Sequence, residues 1–182
     1  MMITDEVLIY QAQEGNERAF SLLVERYQER VLNVCFRIVG NMEDAEEATM
    51  DTFLACYRSL GSFEGRSSFA TWLYRITLRS SYKLRRKAPE YATVEELDDN
   101  EIQLADSPYD LLQGQEIRSI IEQAIESLPD HLKEVVIFYF LEGLSYQEIA
   151  EILECPIGTV GSRINKARKK LQAKLIKLNE EC

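Results

Sequence analysis

Two stretches of the sequence carry side chains that suit contacts with nucleic acid. The first is the segment 163–177, which has seven basic residues and no acid. Basic side chains neutralise phosphates and supply most of the non-specific affinity of nucleic-acid-binding proteins. Yet the whole chain has a formal net charge of −10, whereas a protein that binds nucleic acid on its own is usually basic. The sequence therefore predicts a phosphate-binding surface on a protein whose net charge opposes such binding.

The second stretch runs from Phe63 to Lys87 and alternates aromatic with basic side chains, with no acid after Glu64. Aromatic faces stack on unpaired bases while guanidinium groups follow the backbone, which is the chemistry of single-strand binding. A helix is expected from near Ser68 to about the end of this stretch. Alternatively, Trp72 and its neighbours are core residues and the arginines only make the helix soluble. The candidates for single-strand binding are Phe63, Trp72, Tyr74, Arg75, Arg79 and Lys83.

The first stretch belongs to a predicted helix-turn-helix. Ser145 is a favourable N-cap, and Glu148 three residues later completes a capping box. Pro156 disfavours a helical conformation in the residue before it, so the first helix is expected to end at Glu154–Cys155 and the second to start at Pro156. Two helices joined by so tight a turn are typical of a helix-turn-helix, whose second helix enters the major groove of duplex DNA.

The second of these helices has one apolar and one polar face. Val160, Ile164 and Ala167 recur at steps of three and four and are expected to be buried, as are Leu171 and Leu175. The outward residues carry the hydroxyl, amide and basic groups that contacts to base edges and phosphates require. The alternative is an ordinary helical hairpin with a solvated basic face. The predicted duplex-binding residues are Thr159, Ser162, Arg163, Asn165, Lys166 and Lys169.

The other segments also have helical spacing and no strand pattern. Thr4 and Asn41 are favourable N-caps, and the glycines at 15, 40 and 61 are expected near helix ends. Helical spacing returns at about residue 116, and Pro129 opens another helix. The residues expected on its inner face are Leu132, Val135, Val136 and Phe140.

The net charge is concentrated in one short segment. Residues 88–115 hold eight acids and no basic residue, whereas residues 1–87 are neutral overall and residues 116–182 carry a net charge of −2. A structureless segment of this length is unusual inside a compact domain, so residues 88–115 are predicted to be a flexible linker. The sequence thus predicts an all-α protein of two small helical domains, 1–87 and 116–182, joined by an acidic linker.

Composition disfavours several classes of protein. The longest apolar run, Val135–Leu141, is far shorter than the roughly 18 residues that a membrane helix needs, and the acidic N-terminus is unlike a signal peptide. Four scattered cysteines without a CxxC pair suggest a reducing cytoplasm. The single histidine, His131, has no evident nucleophile or metal partner. We therefore expect a cytoplasmic protein that is not an enzyme and has no metal site, cofactor or membrane insertion.

Four segments together resemble an extracytoplasmic-function sigma factor, the two-domain class of bacterial transcription-initiation subunit. DAEEATMDTFLACYRSL is similar to the family's helix that docks on the polymerase, and FEGRSSFATWLYRI to the part that melts and recognises the minus-ten element. SLPDHLKEVVIFYFLEGLSYQEIAEIL and the following CPIGTVGSRINKAR are similar to the domain that recognises the minus-thirty-five element. The resemblance covers nearly the whole chain except the linker.

The resemblance implies promoter-specific initiation of transcription as the function. The implied partners are promoter DNA, an anti-sigma protein and the RNA polymerase core, the last through the clamp of its largest subunit and the flap of its second-largest subunit. It implies polymerase binding by Asp44, Glu47, Asp51 and Phe53. It also accounts for the acidity, because the polymerase supplies most of the non-specific electrostatics. The other hypothesis is a helix-turn-helix regulator with an N-terminal sensing domain, but the first 87 residues lack a βαβ pattern or pocket signature.

Four positions depart from the family pattern. Gly161 stands where a basic residue is frequent, which removes one phosphate contact, and Glu154 stands where a glycine is common in the turn. Arg79 replaces a frequent asparagine, which leaves the base preference there open. Met50 replaces a usual glutamine in the helix that docks on the polymerase.

Overall fold

The computed structural model describes residues 3–85 and 121–180, and side chains as far as residue 176. These residues form helices only, with no strand among them, which confirms the predicted fold class. The predicted linker 88–115 lies outside the described residues. The helices are α1 (Asp5–Gln13), α2 (Glu17–Val39), α3 (Met42–Ser59), α4 (Phe69–Arg85), α5 (121–126), α6 (Asp130–Val136), α7 (Tyr146–Ile152) and α8 (Ile157–Glu180).

The described residues divide into two compact units. Residues 3–85 and 147–155 form the first unit, and residues 121–146 and 156–180 form the second. This division differs from the predicted domains in one respect, because α7 is grouped with the N-terminal helices and not with α8. The predicted boundaries at 87 and 116 lie outside the described residues.

In the first unit, α1 to α4 pack around a shared core. Its fully buried residues include Leu8, Leu23, Val31, Cys35, Ala45, Ala48, Cys56 and Leu73. The helix ends follow the predicted capping signals. The Asn41 side chain accepts a hydrogen bond from the Asp44 N–H at 2.8 Å, and Gly40 ends α2 with φ of 85°. A 3-10 turn, Leu60–Ser62, follows α3 around the predicted stop at Gly61.

Thr4 is the N-cap residue of α1 as predicted, but it does not cap the helix through its side chain. Thr4 precedes α1, but its side chain makes no capping hydrogen bond to the helix backbone. Its hydroxyl bonds instead with the carboxylate of Glu6, which lowers the pKa of Glu6. Asn16 is the residue that caps the following helix, since its side chain accepts from the Ala19 N–H at 3.2 Å.

In the second unit, α6 and α8 supply the core. Leu132, Val135 and Val136 are buried as predicted, but Phe140 is 47% exposed, so its predicted burial is wrong. The cause is a π-helical turn, Ile137–Leu141, in which the Glu142 N–H donates to the Ile137 carbonyl at 3.0 Å. The extra residue in this turn changes the helical register, because π-helices bond from i to i+5.

The segment between α7 and α8 is a tight turn whose limits differ slightly from the predicted ones. Helix α7 ends at Ile152, two residues early, and Glu154 has a left-handed backbone with φ of 52°. The Cys155 N–H donates to the Ala150 carbonyl at 3.1 Å, a bond typical of a Schellman turn. Helix α8 begins one residue late, and the Pro156 carbonyl accepts from Thr159 at 2.9 Å.

Candidate nucleic-acid and polymerase interfaces

Helix α8 separates its apolar and polar residues as predicted. Val160, Ile164 and Ala167 are fully buried, whereas Leu171 and Leu175 are only half-buried. Of the six predicted duplex-binding residues, Thr159 and Arg163 are half-buried and Ser162, Asn165, Lys166 and Lys169 are exposed. The Ser162 hydroxyl donates to the Thr159 carbonyl at 2.9 Å, so its proton is used within the helix. The polar face therefore has access to solvent along two turns.

The pKa of His131, at the start of α6, depends on the charges of this polar face. Partial burial lowers the pKa of His131, and the positive charges of Arg163, Lys170 and Lys166 lower it further, while Asp130 opposes them. The electrostatic potential at His131 is therefore dominated by the basic residues of α8. The sequence predicted a plain surface or helix-start residue, and the exposed position of His131 at the start of α6 confirms this. No local pattern in the sequence connects residue 131 with α8.

On α4, the predicted single-strand residues divide into a buried and an exposed group. Tyr74 is fully buried, so its ring has no free face for a base, and its predicted place along a strand does not hold. Arg75, Arg79 and Lys83 recur every fourth residue and lie along one side of the helix, with side chains that are 38%, 70% and 63% exposed.

The predicted aromatic residues at the start of α4 form a cluster. The ring centroids of Phe63 and Trp72 are 5.0 Å apart, and Phe69 lies 5.9 Å from each of them. Phe63 and Trp72 are partly buried against the core of the first unit. The core alternative therefore holds for them in part, and their role in single-strand binding stays a prediction.

The basic side of α4 is paired with two acids. One oxygen of Glu154 lies 2.7 Å from a guanidinium nitrogen of Arg75 and 2.7 Å from one of Arg79. The Arg75 hydrogen bond is the main cause that lowers the pKa of Glu154. The Lys83 ammonium lies 3.3 Å from a carboxylate oxygen of Asp51. Sequence reasoning predicted neither pair, because the partners are far apart along the chain.

Helix α3 presents the predicted polymerase-binding residues in different environments. Glu47 is exposed and Asp51 is half-buried, whereas Phe53 packs against the core and supports the helix. The Asp44 carboxylate accepts a hydrogen bond at 2.8 Å from the side chain of Asn41 at the start of the helix. The same helix has three exposed apolar residues, Met50, Leu54 and Tyr57. Sequence reasoning noted Met50 as a departure from the family pattern but did not single out Leu54 or Tyr57.

Comparisons with known proteins identify the family. The model of Sigma-70 region 2 matches residues 23–89, and that of Sigma-70, region 4 matches residues 118–171. The chain is 37% identical to the ECF RNA polymerase sigma-E factors of Escherichia coli (strain K12) and Salmonella typhi, over 95% of each chain. The chain belongs to the extracytoplasmic-function sigma factors. It is thus an RNA polymerase sigma factor that directs promoter-specific transcription, which removes the alternative of a ligand-sensing regulator.

Solved structures have the same fold as this sigma factor. CnrH, in complex with the cytosolic domain of CnrY, matches with a TM-score of 0.72 and 25% identity, over 95% of this chain and 97% of CnrH. The sigma factor RpoE of Bartonella quintana, in complex with the anti-sigma factor NepR, matches with a TM-score of 0.66 and 24% identity, over 86% and 96% of the two chains.

Two free thiols of this sigma factor lie in the core of the first unit. Cys35 and Cys56 are buried free thiols, and burial raises the pKa of Cys56 to about 12. A thiol with so high a pKa is unreactive. Within residues 3–85 and 121–180, no group of three side chains has the composition of a metal site, and no helix is long and apolar enough to cross a membrane.

Proposed function

We propose that this sigma factor contacts the displaced strand of the minus-ten element with α4 and the duplex minus-thirty-five element with α8. The observation that carries the first assignment is the line of Arg75, Arg79 and Lys83 beside a partly exposed aromatic cluster. Guanidinium and ammonium groups follow a phosphate backbone, while exposed aromatic edges support unpaired bases. The second assignment is supported by the basic, solvent-accessible face of α8.

Strand opening on a promoter tests the role of α4. With polymerase core, Arg75→Ala should reduce the permanganate reactivity of thymines near the start site several-fold and leave core binding unchanged. Arg18→Ala, at an exposed arginine of α2, is the matched control and should open the promoter normally. Normal opening by Arg75→Ala would place the strand-binding surface elsewhere.

We further propose that α3 docks on the clamp of the largest polymerase subunit and that the second unit contacts the flap of the second-largest subunit. Exposed acids beside exposed apolar residues on α3 support the first contact, because such a surface complements a basic patch that also has an apolar centre. The protein would act in the cytoplasm, because the polymerase is there. It would have no catalytic role of its own.

An anti-sigma protein is the remaining proposed partner. Two structures with the same fold support this proposal. CnrH was solved with the cytosolic domain of CnrY, and the sigma factor RpoE of Bartonella quintana was solved with the anti-sigma factor NepR. Affinity purification of the tagged chain from its own cells under non-inducing conditions, followed by a competition assay with core, tests it. A partner that does not compete with core for the tagged chain would contradict an anti-sigma role.

A further inference from the structure

Arg75 and Arg79 share a single carboxylate. They are one helical turn apart on α4, and the same Glu154 oxygen accepts a hydrogen bond from each, both at 2.7 Å. Glu154 belongs to the same compact unit as α4. Two guanidinium groups that converge on one anionic oxygen form the charge-assisted contact that arginine also makes with a phosphate oxygen. The carboxylate therefore uses the donors of both arginines that a phosphate oxygen would need.

The conformation of Glu154 is costly by itself. Its φ of 52° lies in the left-handed region, where a side chain crowds its own carbonyl and where glycine is preferred at the end of a helix. A strained residue is retained when its surroundings make it useful. No backbone role of the turn needs an acid, since the bond from Cys155 to Ala150 involves only main-chain atoms. The feature that does need an acid is the contact with the two arginines.

We propose that Glu154 is an internal competitor for nucleic acid, whose carboxylate holds Arg75 and Arg79 in the free protein and must leave them before they bind a single strand. This inference rests on the proposed single-strand role of α4. The function of the Glu154 contact is to keep the free sigma factor from binding unpaired DNA or RNA in the absence of the polymerase. The competitor is intramolecular, so it acts at a constant effective concentration and needs no second protein.

The size of the effect follows from the exposure of the pair. The three side chains are 38%, 55% and 70% exposed, so solvent screens the attraction and each pair has the modest strength of a surface ion pair. Removing the carboxylate should tighten single-strand binding about two- to tenfold at low ionic strength. The difference should disappear at high salt, because screening weakens both the internal pairs and the phosphate contacts.

The test compares two variants of the full-length protein that lose the same charge. Glu154→Gln removes the competitor and keeps a side chain of equal size. Glu151→Gln is the matched control, because Glu151 lies on the preceding helix and accepts a hydrogen bond from the Gln147 side chain at 3.2 Å. The probe is fluorescein-labelled oligothymidine, and the readout is its anisotropy at low and high salt. Tighter binding by Glu154→Gln alone is expected, whereas equal tightening by both variants would overturn the proposal.

A double-mutant cycle separates this proposal from the role of α4 itself. In an Arg75→Ala/Arg79→Ala background, Glu154→Gln should have no further effect on oligothymidine binding, and a persistent effect would reject the competitor. If the double alanine variant binds as tightly as the parent, the proposed role of α4 fails and the competitor fails with it.

A carboxyl NMR titration checks the contact without any nucleic acid. The pKa of Glu154 should be below its ordinary value in the parent and should rise in the double alanine variant. An ordinary pKa in the parent would overturn the competitor alone and leave the proposed role of α4 intact, so the two failures are distinguishable.

Discussion

The basic surfaces of α4 and α8 differ in how the protein balances their charge. On α4, two carboxylates lie against the basic residues, at 2.7 Å for Glu154 and at 3.3 Å for Asp51. Near α8, partial burial lowers the pKa of His131, on the neighbouring helix, and the positive charges of α8 lower it further. The positive charge of the α4 surface is thus partly balanced from within the protein, since two carboxylates face three basic side chains.

This difference matches the two kinds of nucleic acid that we propose for them. Duplex DNA is abundant, and a positive face on α8 speeds its encounter with any duplex. Unpaired strands should be bound only where the polymerase has opened the promoter, and the carboxylates of Glu154 and Asp51, which pair with basic residues of α4, raise the threshold for such binding. The predictions below test the comparison, and they are ordered by the size of the expected effect.

The largest effect concerns the buried side of α4. Tyr74→Ala should lower the free energy of unfolding by about 3–5 kcal/mol, because it removes a fully buried aromatic side chain from the core. Urea unfolding followed by the fluorescence of Trp72, the single tryptophan, measures it. Arg75→Ala, on the next residue, should change the free energy by less than about 1 kcal/mol. A stable Tyr74→Ala protein that no longer opens promoters would restore Tyr74 to the strand-binding surface.

The burial of Tyr74 illustrates what the sequence could and could not predict. Helix ends followed from local chemistry, since Asn41 and Gly40 satisfy backbone groups within their own turn. The inner face of α8 followed from periodicity. Tyr74 was placed wrongly because an aromatic residue among arginines has the same pattern whether its ring packs inward or stacks on a base. Only the packing of the neighbouring helices decides between these environments.

Two other features depend on contacts that no local pattern encodes. The π-helical turn after α6 turns Phe140 outward although its spacing is that of a core residue. The bond between Arg75 and Glu154 joins residues that are 79 positions apart. The sequence did show that Glu154 stands in a turn that favours glycine, and this departure was the only available signal that the residue has a separate role.

The second prediction concerns the polar face of α8. Arg163→Ala and Lys166→Ala should each weaken binding to the minus-thirty-five element, by about 1–3 kcal/mol where a bidentate base contact is lost and by less for a phosphate contact. Run-off transcription from a promoter that depends on this element measures the loss. Arg18→Ala, at an exposed arginine of α2 outside this helix, is the control. Unchanged transcription with both variants would contradict the assignment of α8.

The third prediction concerns docking by α3. Asp51→Arg should weaken the complex with polymerase core by about 1 kcal/mol and change its salt dependence, because it reverses a charge on the proposed docking face. Glu43→Arg, at an exposed acid in the first turn of α3, makes the same charge change as a control. Competition against labelled parent protein gives the affinities. If the Asp51 and Glu43 variants bind core equally well, α3 docks through another side.

The smallest expected effect is a change in the pKa of His131, which tests whether the positive charges of α8 act on this residue. In the free protein, burial and the charges of Arg163, Lys170 and Lys166 hold the pKa of His131 below its ordinary value. DNA phosphates that neutralise these residues should raise this pKa, so duplex binding should take up a proton. The affinity for duplex should therefore increase as the pH falls through the pKa that His131 has in the bound protein to below the pKa that it has in the free protein. If these two pKa values differ by about half a unit, the increase should be about threefold.

Because the chain has one histidine, its imidazole NMR signals report the pKa without ambiguity, with and without a short duplex at low salt. His131→Gln should remove the dependence of affinity on pH in this range. The same measurement with oligothymidine should shift the pKa less, since we propose that single strands bind α4 and leave the charges of α8 in place. Equal shifts with the duplex and the single strand would mean that the two basic surfaces do not discriminate between these ligands, and the comparison between α4 and α8 would fail.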